Sequence, residues 1–146
     1  MVKVLVKRLH SFDLPFPKYM TPGSSGIDLI SANEAPITIP VLGRRLIPTG
    51  IAISMPENYE AQIRPRSGLA LDHGITLLNS PGTIDSDYRG EIKIIVINLG
   101  DKEYILQRGV RIAQMVFQPV EKAELVEIEL LDETARGIGG FGHTGV

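Results

Sequence analysis

The segment Asn79-Ser80-Pro81-Gly82-Thr83-Ile84-Asp85-Ser86-Asp87-Tyr88-Arg89-Gly90 concentrates the groups in this chain that could do chemistry. It is dense in turn formers and reads as a hairpin between two strands, with Ile84 as an apolar anchor. Such a hairpin can line a pocket for a small planar ligand, because it sets acceptors, a carboxylate and a hydroxyl-bearing aromatic at fixed offsets. As a bare pattern it also fits a solvent-exposed loop. Asp85 and Asp87 flank Ser86, and strict alternation would send them to opposite faces, leaving one for a pocket.

Four further constellations surround it. Pro65-Arg66-Ser67-Gly68-Leu69-Ala70 ends a strand and opens a short helix. Free N–H groups, the Arg66 fork and the Ser67 hydroxyl together suit phosphate, although a plain N-cap serine has the same look. Ser25-Gly26-Ile27-Asp28-Leu29 sets a carboxylate in an apolar setting, where it can orient an arginine, hold metal-bound water or close an Asx-turn. Gln114 interrupts the apolar strand Gly109–Phe117 and needs a partner, from the backbone or from a ligand. The last eleven residues, Arg136 to Val146, hold five glycines with Arg136, Phe141, His143 and Thr144. Glycine N–H groups, Arg136 and Thr144 can cradle phosphate and Phe141 can stack on a base, although glycine-rich termini are often plain mobile tails.

Composition removes several classes. The chain has no cysteine, which excludes disulfides, thiolate zinc sites and cysteine nucleophiles. His10, His73 and His143 stand far apart and outside metal-ligand spacing, so any metal is a hard ion brought by a phosphate ligand. A formal net charge of -2 provides no global basic field, so nucleic acid is not an expected partner. No run approaches the ~20 apolar residues that span a bilayer, and Met1–Lys7 alternates without a signal-peptide core, so no membrane partner and a cytoplasmic location are expected.

The elements that must position these residues are β-strands. Ten prolines and fifteen glycines punctuate short apolar runs, the rhythm of an all-β sandwich or barrel. The pattern predicts strands at Val2–Arg8, Ile37–Ile39, Arg45–Pro48, Ile51–Met55, Tyr59–Pro65, Thr76–Leu78, Glu91–Asn98, Tyr104–Leu106, Arg111–Pro119 and Glu124–Leu130. One short helix is predicted around Leu69–His73, capped by Ser67 and ended by Gly74. A single domain over 1–135 and a flexible tail over 136–146 complete the expected organisation.

Taken together and in this order, the five constellations resemble the five motifs of the trimeric dUTP diphosphatase family: Ser25–Leu29, Pro65–Ala70, Asn79–Gly90, Gly109–Met115 and Arg136–Gly145. The resemblance implies a jelly-roll-like β fold assembled as a homotrimer, with active sites shared between subunits and with Mg2+ as cofactor. It implies that Asn79 and the backbone around Gly82, Thr83 and Ile84 hold uracil, and that Asp85 is the general base that readies water for attack on the α-phosphorus of dUTP. Tyr88 would pack under the deoxyribose. Arg66, Ser67, Gly68 and Gln114 would bind the phosphates, and Arg136, Phe141, Gly142, His143 and Thr144 would close over the nucleotide. Asp28 would act through a water on the ion or by fixing a basic partner.

Three positions depart from the family pattern: Ser25 for the frequent alanine, Val110 for a common aspartate, and His143 for the usual serine beside Thr144. Two rivals share parts of the pattern. A dCTP deaminase would carry a glutamate base and an arginine-serine-serine sequence, where this chain has Asp85 and Arg66-Ser67-Gly68. A catalytically silent trimer that only binds dUTP is disfavoured by the intact Asp85 and Arg136.

Overall fold

Alternation of inward and outward side chains generates most of this fold, as a computed structural model describing residues 1–141 and 143 makes plain. Among the described residues the elements run β1 (Leu5–Arg8), β2 (Ile27–Ile30), β3 (Ile37–Ile39), β4 (Arg44–Pro48), β5 (Ile51–Ser54), β6 (Tyr59–Arg64), α1 (Ser67–His73), β7 (Ile75–Leu77), β8 (Gly82–Ile84), β9 (Lys93–Asn98), β10 (Tyr104–Leu106) and β11 (Arg111–Pro119). All pairings are antiparallel, in sheets ordered β2-β11-β6-β8, β4-β9-β7, β1-β5 and β3-β10. The sheets are open and none closes into a barrel, so the sandwich form of the expected architecture is the one adopted.

One apolar core serves all four sheets. Leu29, Ala61, Ile63 and Met115 enter from the first, Ile47, Leu77, Ile94 and Val96 from the second, Ile51 and Ile53 from the third, and Ile39 and Leu106 from the fourth. Apart from Ala61, each such side chain stabilises the fold by about 1.5–3 kcal/mol relative to exposure. Asn98 ends the inward row of β9 at 0% exposure. Its amide nitrogen donates to Ile39 O at 2.9 Å and Lys102 O at 2.8 Å, and its oxygen accepts from Gly100 N at 2.9 Å. Those bonds offset the cost of burying an amide and pin the β9–β10 turn.

The structure corrects several expectations. Glu124–Leu130 forms no strand: it is irregular and exposed, with Leu125 at 93% and Leu130 at 86%. Alternation makes a strand only where a partner accepts its hydrogen bonds, and within this chain the segment pairs with none. The first strand spans Leu5–Arg8 rather than Val2–Arg8, because β5 offers only Ile51–Ser54 to pair with. Strands at Ile27–Ile30 and Gly82–Ile84, hidden beneath turn-forming residues, were not expected. Ser67 does not cap α1 but is its first helical residue; Arg66 holds the N-cap position with no side-chain cap. Gly74 ends the helix as expected, at φ 66°, donating to Ala70 O.

Candidate active site

Two clusters gather the residues singled out above, one at each end of the β2-β11-β6-β8 sheet. At the first, the register aligns Asp28 of β2, Gln114 of β11 and Arg64 of β6 in one row. The Asp28 carboxylate, 16% exposed, forms an ion pair with Arg66, whose Nε lies 3.1 Å away, and accepts from Arg111 Nη1 at 3.0 Å. Arg66 is fixed a second time by donating through Nη1 to Arg111 O at 3.0 Å. Its remaining donors stay available, next to the exposed Ser67 and Gly68 of the first turn of α1.

Gln114 finds its partner in the backbone, donating through Nε2 to Pro65 O at 3.0 Å. That bond ties β11 to the segment carrying Arg66. Gly26 makes room for it, since a Cβ there would lie 2.7 Å from Gln114 Oε1. Of the alternatives open for Asp28, the geometry realises the fixing of basic partners, with both carboxylate oxygens engaged.

The second cluster surrounds β8. Asn79, Gly82, Thr83 and Ile84 line a narrow cavity of about 100 Å³ with Ile63, Leu77 and Lys93–Ile95. Gly82 is buried against Asn79, whose Nδ2 would lie 3.2 Å from any added Cβ. Beyond the strand, Tyr88 N donates to Asp85 O at 3.1 Å, closing a turn. That turn replaces the alternation expected of the two aspartates: Asp85 and Asp87 line the same open depression, with Glu57, Tyr59, Glu60, Ser86, Val120 and Lys122. Tyr88 is 44% exposed; its ring folds over Gly90 and its hydroxyl donates to Glu91 O at 2.9 Å.

The two clusters do not meet within one chain. Ile84 pairs with Ala61, which brings Asp85 level with Glu60, six positions before Arg66. At a strand rise of 3.2–3.4 Å per residue those six positions span about 20 Å. The tail stands apart as well. Arg136 Nε donates to Gly139 O at 2.9 Å, Phe141 is wholly exposed, and His143 lies against Gly139. Gly142 and Thr144 lie outside the described residues.

Arg111, Lys93 and Glu91 join these clusters without having been singled out in the sequence. Arg111 had a faint signal, a lone cation opening an apolar strand three positions before Gln114. The outward face of the β4-β9-β7 sheet carries an apolar strip between Arg44 and Lys93: Leu46 is 56% exposed and pairs with Ile95, and Ile97 is half-buried beside Arg44 and Thr76. Leu78, 51% exposed, donates its N–H to Ile95 O at the same edge. Among the described residues no three His, Asp or Glu side chains cluster in a way that could hold a metal ion. Among them, too, no helix is long and apolar enough to cross a membrane.

Comparison with known proteins gives this geometry its context. The deoxyuridine 5'-triphosphate nucleotidohydrolase of Rickettsia prowazekii (strain Madrid E) is 57% identical over 145 residues, covering 99% of this chain and 98% of that protein. The protein of the same name from Rickettsia bellii (strain OSU 85-389) is 59% identical over 144 residues, covering 99% of this chain and 96% of its own length. Among solved structures, the Staphylococcus bacteriophage 80alpha dUTPase with dUPNHPP superposes with a TM-score of 0.88 at 26% identity, over 99% of both chains. The fold is the jelly-roll-like one of these dUTPase structures. A family model described as dUTPase matches residues 13–145, and the chain belongs to that family.

Proposed function

We propose that the protein hydrolyses dUTP to dUMP and diphosphate, as a homotrimer whose active sites combine residues of different copies. The carrying observation is the split of the site: a base-sized cavity with Asp85 at the end of its strand, about 20 Å along the sheet from Arg66. A carboxylate and a phosphate-binding arginine so far apart act on the same phosphate chain only when a second copy brings its Arg66 to the first copy's Asp85. The apolar strip of Leu46, Ile95 and Ile97 on the outward face of β4-β9-β7 supports self-association. Charge supports the same reading, because Glu57, Glu60, Asp85 and Asp87 outnumber Lys122 in the lining of the depression, so a triphosphate there needs further cations from elsewhere.

In this reading uracil enters the cavity beside Asn79 and is read by the backbone of Gly82, Thr83 and Ile84. The Tyr88 ring packs under the deoxyribose and leaves no room for a 2′-hydroxyl. Asp85 accepts a proton from water, whose oxygen attacks the α-phosphorus. The bond to the bridging oxygen of the β-phosphate breaks and diphosphate departs. General-base assistance of this kind contributes roughly 10²–10⁴-fold.

Arg66, held by Asp28, meets the phosphates together with Ser67 and Gly68; Gln114 acts by holding Pro65 and the segment that follows. Mg2+ brought with the nucleotide would supply charge neutralisation along the triphosphate. Its arrival with the nucleotide fits the described residues, among which no three His, Asp or Glu side chains form a metal-holding group. Residues 136–146 form a tail that closes late, bringing Arg136 to the γ-phosphate, Phe141 over the uracil, and Gly142, His143 and Thr144 alongside. The reaction limits uracil incorporation into DNA and supplies dUMP for dTMP synthesis, in the cytoplasm.

The test is a diphosphate-release assay with dUTP, UTP, dTTP and dCTP. Turnover confined to dUTP is expected. Ammonia release from dCTP, or nucleotide binding without turnover, would reject the proposal.

A further inference from the structure

We infer that Glu91 is a positioning residue for sugar discrimination, setting the Tyr88 ring from the side of the hairpin away from any ligand. The inference rests on the proposed role of Tyr88 beneath the deoxyribose. Tyr88 uses its hydroxyl internally, donating to the Glu91 backbone oxygen at 2.9 Å, so the ring alone faces outward. The ring also lies tight over Gly90, where an added Cβ would fall 2.4 Å from the hydroxyl oxygen and 2.5 Å from Cζ. Its position is therefore set by where the backbone of residues 90 and 91 lies.

The Glu91 side chain fixes that backbone. Its carboxylate is 14% exposed and accepts from Gly50 N at 2.9 Å, across the turn between β4 and β5. The same oxygen lies 3.4 Å from His10 Nε2, and the other lies 3.7 Å from Lys93 Nζ. Gly50 is itself anchored, at φ 69°, with its carbonyl accepting from Leu9 N and from the buried Ser11 hydroxyl. Glu91 thus joins the ring to the rigid edge of the sandwich, and Lys93 carries the connection to the base-sized cavity it helps to line. An aromatic platform excludes a 2′-hydroxyl only if it cannot retreat; removing the Glu91 carboxylate allows the retreat while leaving Asp85 and the phosphate-binding residues in place.

The experiment measures kcat and KM of the full chain with dUTP and with UTP, alongside melting temperature, for Glu91→Ala, Glu91→Gln, Tyr88→Phe and Tyr88→Ala. Glu91→Ala is expected to lower the dUTP-over-UTP ratio of kcat/KM by roughly 3- to 10-fold, the size of one neutral hydrogen bond, while kcat on dUTP stays within about twofold. Glu91→Gln, which keeps an acceptor for Gly50 N, restores most of the ratio. Tyr88→Phe lowers it by a similar factor, and combining Tyr88→Phe with Glu91→Ala adds little further loss. A Glu91→Ala enzyme with unchanged discrimination, alongside a Tyr88→Ala enzyme that has lost it, overturns the inference. Unchanged discrimination in both overturns the reading of Tyr88 and this inference with it. Should Glu91→Ala fail to fold, Tyr88→Phe decides: an unaltered ratio rejects the anchoring.

Discussion

Arg66 reaches back to Asp28 with its Nε at 3.1 Å, so the guanidinium offered to a ligand is fixed from behind by a strand of the same sheet. Asp28→Asn should leave a folded protein whose Arg66 loses its ion pair and keeps only its hydrogen bond to Arg111 O. Kinetics should show kcat/KM on dUTP reduced by about 10- to 100-fold, the scale of one to two charge-assisted hydrogen bonds. A variant with unaltered kcat/KM would separate Asp28 from the phosphate site.

Asp85→Asn should lower kcat by roughly 10²–10⁴-fold while nucleotide binding survives, because the amide cannot take the proton yet keeps its hydrogen-bonding shape. Calorimetric binding of a non-hydrolysable dUTP analogue beside single-turnover kinetics separates the two effects. Retention of most of kcat would end the general-base assignment.

Complementation tests the sharing of sites between copies. Arg66→Ala and Asp85→Asn homo-oligomers should each be nearly inactive, and co-refolding them should restore a fraction of wild-type turnover. Recovery arises only where an intact Asp85 of one copy meets an intact Arg66 of another. No recovery in demonstrably mixed oligomers would mean that one chain supplies both.

Removing residues 136–146 should cut kcat by two or more powers of ten, since late-arriving charge and water exclusion vanish together (a loss on the order of 10²-fold or more). Melting temperature and sedimentation should stay unchanged, because β11 and the core end well before Arg136. Dissociation of the oligomer on truncation would make the tail structural instead.

Acid stability should report on Asp13 and Arg108. Arg108 Nη2 lies 2.6 Å from Asp13 Oδ1, and its Nη1 donates to Ala32 O at 2.8 Å, pinning the loop after β1. The hydrogen bond from Arg108 holds the Asp13 carboxyl below its ordinary value. A folded-state value below the unfolded one contributes stability above the ordinary carboxylate range, lost as pH falls through the depressed value. Thermal melts from pH 7 down to pH 3 should therefore show Asp13→Asn less stable than wild type near neutrality, with the gap closing below about pH 4. A gap independent of pH would count against this pair.

Much of the fold was legible because burial writes a period of two into sequence: Arg111–Pro119, Ile37–Ile39 and Tyr104–Leu106 fall where alternation and turn residues set them. Ile27–Ile30 and Gly82–Ile84 were not legible, because glycine, serine and aspartate signal turns locally while their pairing depends on β11 and β6. Glu124–Leu130 failed in the opposite sense, an alternating run with no partner in its own chain. In the site, the residue types that bear chemistry were visible. The roles of Arg111 and Glu91 were not, because both depend on which strands become neighbours. Gln114 illustrates the limit: its need for a partner was readable, and the choice of Pro65 O was not.

The carboxylates of Glu57, Glu60, Asp85 and Asp87 around one depression bear on what the enzyme lets go as well as on what it admits. Between exposed charges such a field is screened by physiological salt beyond about 8 Å, so it acts close to the depression. With Lys122 as the one cation of that lining among the described residues, the depression repels polyanions on balance, and under the proposed reaction a freed diphosphate would feel an outward push. In the proposed reaction, the rim that makes the nucleotide depend on borrowed positive charge would therefore also work against product lingering beside Asp85.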